Sequence, residues 1–102
     1  MKKPATTRWD PAEHFTSEAD MVAYLEAALA EGDPSLIAAA LGDIARARGM
    51  SEVAREAGLG RESLYKALSA DGNPAFSTVM RVIAALGLQL HASPANGTKA
   101  TA

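Results

Sequence analysis

No cysteine occurs anywhere in the chain, which excludes disulfides and thiolate metal sites and fits a reducing compartment. Aromatic residues are almost as scarce: Trp9, Phe15, Tyr24, Tyr65 and Phe76 complete the set among 102 residues. No apolar run approaches the roughly 20 residues of a membrane span. The basic start, residues 1–8, lacks the apolar stretch that a secretory signal needs. A soluble protein of the cytoplasm, with no membrane association, is expected. His14 and His91 lie far apart, and Ser63 has no obvious histidine partner. There is no glycine-rich phosphate loop, nucleophile elbow or metal-ligand pair. Neither enzyme activity nor a cofactor or metal site is expected.

Small residues, alanine above all, make up most of the apolar content. With few β-branched side chains, such a chain favours helices that pack closely. Its length allows one domain with a modest core. The formal net charge of −2 conceals a split. Residues 1–45 carry Lys2, Lys3 and Arg8 against eight acids, a balance of −5. Residues 46–102 carry seven bases against Glu52, Glu56, Glu62 and Asp71, a balance of +3. A solvated helix face explains the acidic half most simply, and a docking surface for a basic protein is the functional alternative.

Residues 1–16 read as an arm in which Pro4 and Pro11 break any helix. Trp9 and Phe15 either fold back onto the domain or anchor into a partner. A first helix is expected over 17–30, capped by Ser17 with Asp20 three residues on. Its buried stripe is Met21, Val22, Leu25 and Leu29, with Glu18, Asp20 and Glu26 facing outward. Asp33 and Pro34 start a second helix through about residue 48, with Leu36, Ile37, Ala40, Leu41 and Ile44 inward. Gly49 stops it, and Arg46 and Arg48 complement its dipole or reach toward phosphates. A final helix capped by Ser77 runs to Leu86, with Val79, Met80, Ile83 and Leu86 inward. Residues 88–91 alternate and predict one short strand in need of a partner, which a second copy would supply. Phe76, Leu88 and Leu90 are the candidate dimer contacts. Residues 93–102 predict a disordered tail, so the folded domain is 17–92.

Residues 50–69 carry the most information. They read Met-Ser-Glu-Val-Ala-Arg-Glu-Ala-Gly-Leu-Gly-Arg-Glu-Ser-Leu-Tyr-Lys-Ala-Leu-Ser, the pattern of a helix-turn-helix. Val53, Ala54 and Ala57 put an apolar stripe on a short helix, and the small Ala54 admits a close crossing. Gly58 supplies a positive φ, Leu59 plugs the turn, and Gly60 serves as N-cap. The second helix, 61–69, buries Leu64, Ala67 and Leu68 and turns Arg61, Glu62, Ser63, Tyr65 and Lys66 outward. Such a face suits the major groove of duplex DNA. An ordinary helical hairpin with a glycine turn is the plainer alternative.

The run from 32 to 69 resembles a family of bacterial antitoxins, the addiction-module antidote proteins encoded beside RelE- and ParE-like toxins. The likeness extends through Gly72, Asn73 and Pro74, through 79–88, and back to Trp9-Asp10-Pro11-Ala12-Glu13 and 24–29. Gly60 stands where that family often has serine. The resemblance implies an all-α, five-helix, lambda-repressor-like domain, with room for one short C-terminal strand. It implies a dual role, neutralising a toxin and repressing the shared operon as a homodimer on operator DNA at the bacterial nucleoid. Ser51, Gly60, Arg61, Glu62, Ser63, Tyr65 and Lys66 would then meet the DNA, Ser51 at a phosphate. Trp9, Phe15, Glu18 and Glu26 are the candidate toxin contacts. A stand-alone helix-turn-helix regulator would share the DNA face without the toxin surface, and a purely protein-binding helical domain would need neither.

Overall fold

Ser17 opens the first helix, its hydroxyl accepting the Asp20 N–H at 3.2 Å. In the computed structural model, which describes residues 17–95, that helix is α1 (Glu18–Glu31), ended by Gly32 at φ 72°. Asp33 caps α2 (Pro34–Arg48), its carboxylate accepting the Ser35 N–H at 3.0 Å with proline in the first turn. A single residue, Gly49 at φ 110°, separates α2 from α3 (Met50–Ala57). Then follow α4 (Arg61–Ala67) and α5 (Phe76–Ala85). All regular structure among the described residues is helical. Among the described residues the fold is all-α with five helices, and the helical class is what the alanine-rich composition leads one to expect. Trp9 and Phe15, and the tail from residue 96, lie outside the described residues.

α1 packs on α2, and α3 sits centrally, touching α2, α4 and α5. Leu41, Ile44, Val53, Leu64, Val82 and Leu86 are fully buried at the convergence. Burying each such side chain stabilises by about 1.5–3 kcal/mol. Two glycines permit close approach. A Cβ on Gly42 would lie 2.2 Å from the Leu68 carbonyl oxygen, so α2 meets the end of α4 without room for a methyl. A Cβ on Gly72 would lie equally close to the Ala67 carbonyl oxygen. Both close approaches fall at the C-terminal end of α4.

Several expectations are corrected. Residues 88–91 form no strand, because no second segment pairs with them among the described residues. Ser77 is not a cap: α5 starts at Phe76, after an extended Ala75 with no side-chain cap. α4 ends at Ala67 rather than Ser69, where the Ser69 hydroxyl donates to the Lys66 carbonyl at 3.0 Å and competes with helix continuation. Met80 faces out, since the buried stripe of α5 follows Val79, Val82, Ile83 and Leu86 at the spacing of one helix face. Leu36 is exposed in the first turn of α2. Val22 and Leu29 are also exposed, because Leu25 and Ala28 take the buried centre of α1.

Candidate functional site

α3 ends in a Schellman turn. The Leu59 N–H donates to the Ala54 carbonyl at 2.9 Å and the Gly58 N–H to the Arg55 carbonyl at 3.2 Å, with Gly58 at φ 73°. That conformation is strained for any side chain, which is why glycine stands there. Leu59 packs half-buried against the core. Gly60 is extended at φ −70° and is the N-cap of α4, with no side chain to make a capping bond. Two short helices are thus joined across residues 58–60, with α4 held on its inner side by Leu64 and Leu68.

Arg61, Glu62, Ser63, Tyr65 and Lys66 are all exposed on α4, as the spacing predicts. Ser51 is exposed in the first turn of α3. The Arg61 guanidinium lies over the Tyr65 ring, 5.5 Å from its centroid, a cation–π contact that stiffens a long side chain at modest energy. Across residues 50–69 three bases meet three acids, so cationic character here is a matter of placement rather than of net charge. Arg55 is paired with Glu52 at 3.4 Å. Arg61 and Lys66 make no ion pair among the described residues, and their charge is directed to whatever meets α4.

Arg46 and Arg48 are engaged within the protein instead. Arg46 pairs with Asp43 at 2.9 Å, and Arg48 donates to the Leu86 carbonyl at 3.0 Å, tying α2 to the end of α5. Glu18 and Glu26 are exposed on α1. Phe76 is 72% exposed at the start of α5. Leu88 and Leu90 are half-buried and pack on the protein's own core. Phe76 and Leu90 share a depression of about 240 Å³ with Pro34, Ile37 and Val79. Sequence reasoning missed the outward turn of Val22 and Leu29. The signal was there: at about 100° per residue they lie at the trailing edge of a stripe centred near Met21, Leu25 and Ala28.

The family described as "Probable addiction module antidote protein" matches residues 5–94. A Haemophilus influenzae protein described only as uncharacterized is 59% identical over 81 residues, covering 79% of this chain and 84% of that one. No solved structure matches the chain.

Proposed function

The chain belongs to the probable addiction module antidote family, and from that premise we propose that it is the antitoxin of a type II toxin–antitoxin module that also represses its own operon. In this reading α4 enters the major groove of operator DNA and α3 crosses the backbone. The observation that carries it is the outward face of α4, where Arg61, Glu62, Ser63, Tyr65 and Lys66 stand together on a helix fixed from beneath by Leu64 and Leu68. Arg61 and Lys66 supply charge to phosphates or base edges, Ser63 and Tyr65 supply hydroxyls, and Ser51 reaches a flanking phosphate. Gly60 leaves the approach to the backbone uncrowded.

A single such domain reads a half-site, and a two-fold pair reads a whole operator. The homodimer forms through the exposed Phe76 and Met80 of α5, while Leu88 and Leu90 stay packed on the protein's own core. The toxin is RelE- or ParE-like and basic, and the acidic first half of the chain receives it, through Glu18, Glu26 and the aromatic anchors Trp9 and Phe15. The protein works in the bacterial cytoplasm, on the nucleoid.

The test is the double substitution Arg61→Ala, Lys66→Ala in a fluorescence-anisotropy titration against the promoter DNA of the chain's own operon. Binding should be abolished at moderate salt while the helical signal and melting temperature stay unchanged, because both side chains are exposed. For every phosphate that the variant leaves unneutralised, the salt slope should fall by about one unit. Undiminished binding by the double variant would overturn the assignment of α4.

A further inference from the structure

The outer face of α1 has the makings of a second interface. Glu18, Val22 and Glu26 recur one turn apart, with Leu29 beside them, and Val22 and Leu29 remain 37% and 38% exposed. Opposite them run residues 88–91, anchored where the Leu88 N–H meets the Ile83 carbonyl at 3.0 Å. Between the two lies a trough of about 650 Å³, walled by Val22, Glu26 and Leu29 on one side and Leu88 and Leu90 on the other. A shallower extension continues past Val22 to Glu18. Among the described residues, Gln89, Leu90 and His91 make no backbone hydrogen bond to another residue. That wall therefore offers free donors and acceptors to an added extended segment.

We propose that this trough is the docking site for a cationic, partly apolar segment of the toxin. This rests on the antitoxin reading above and names where the toxin binds. Apolar side chains would seat between Val22, Leu29 and Leu90, and basic ones would meet Glu26 and Glu18. Charge selects the occupant. Both fully charged residues along the trough and its extension are acids. Arg48 reaches the Gly87 end, where its Nη1 is held by the Leu86 carbonyl. There its Nη2 and the Glu18 Oε2 both lie 3.9 Å from the place a Gly87 Cβ would take, so Glu26 is the acid that charges the trough itself. Two copies of this chain related by a two-fold axis would set like acids facing each other, which opposes self-docking. The α5 face of Phe76 and Met80 carries no acid and suits a second copy better.

The experiment uses the full chain and the purified toxin encoded beside its gene, with association followed by surface plasmon resonance. Glu18→Lys with Glu26→Lys should slow association about tenfold and flatten its salt dependence. Val22→Asp with Leu29→Asp should weaken binding tenfold or more, mainly through faster dissociation. Operator affinity should be unchanged in both. The charge pair keeps the test decisive if the aspartates perturb α1. Wild-type toxin affinity in the charge pair would overturn the proposal, as would a loss confined to deletion of residues 1–15. So would aspartate variants that become monomeric yet bind toxin normally, since the occupant would then be a second copy. If the unaltered chain fails to bind this toxin, the antitoxin reading itself falls, an outcome distinct from all of these.

Discussion

The Tyr24 hydroxyl of α1 donates a 2.6 Å hydrogen bond to Oδ2 of Asp43 on α2, while Arg46 holds the other carboxylate oxygen at 2.9 Å. The carboxylate is thereby gripped from both helices at the edge of the core. This bond orients α1, and with it the face that carries Val22 and Glu26. Tyr24→Phe removes the hydroxyl and keeps the ring. A hydrogen bond to a charged group contributes about 1.5–3 kcal/mol when well shielded, and partial solvent access places this one near the lower end. The melting temperature should fall by roughly 4–8 °C per kcal/mol for a domain of this size, read by circular dichroism. An unchanged melting temperature would show that the bond contributes nothing in solution.

Gly42→Ala sets two effects against each other. Alanine favours a helix interior by about 0.8–1.0 kcal/mol over glycine. Its methyl would, however, lie 2.2 Å from the Leu68 carbonyl oxygen, a backbone atom that cannot swing aside. Overpacking of this kind costs about 1–3 kcal/mol, and so severe an overlap lies at the upper end. The variant should be net destabilised in urea denaturation. Its operator affinity should drop too, because relief of the clash moves α4. A variant as stable as the parent would mean that α2 and the end of α4 can part without cost.

Helix ends were legible because they are written in local chemistry. Ser17, Asp33 with Pro34, Gly49, Gly58 and Gly87 each act within a few residues, and each stands where its helix begins or stops. The outward face of α4 was legible for a related reason: Leu64 and Leu68 leave only one side to the solvent. What sequence hid depends on the width of a neighbour. Periodicity assigned Val22, Leu29 and Met80 to the core, yet the partners of α1 and α5 cover a narrower arc than the apolar stripe. The need for glycine at position 42 is set by a carbonyl 26 residues away in sequence. The alternation of 88–91 predicted a strand that did not form, since pairing needs a second segment and pattern alone cannot supply one.

Phe76 tests the dimer more cleanly than Leu88 or Leu90. The leucines pack on the protein's own core, so a charge there would confound assembly with folding. Phe76 is 72% exposed, and Met80 lies one turn away on the same face. Phe76→Glu should leave the helical content intact and shift sedimentation from dimer to monomer at tens of micromolar. Operator affinity should collapse with it, because a monomer reads one half-site. A variant that stays dimeric would move the interface off α5.

Trp9 and Phe15 are the large apolar side chains of an otherwise polar first stretch, which in sequence directly precedes α1 and its Glu18. Large aromatic groups of this kind are common anchors in protein interfaces, and nearby acids steer a basic partner toward them. Deletion of residues 1–15 should therefore weaken toxin binding by about tenfold or more. Operator affinity and melting temperature should be retained, since the proposed DNA face stands on α3 and α4. If the aromatics cover the domain's own core instead, the same truncation should lower the melting temperature before it affects either ligand. Toxin affinity, operator affinity and thermal stability measured on one truncated protein separate the two. Full toxin affinity in a stable truncated chain would remove Trp9 and Phe15 from the interface and leave the α1 face to hold the toxin unaided.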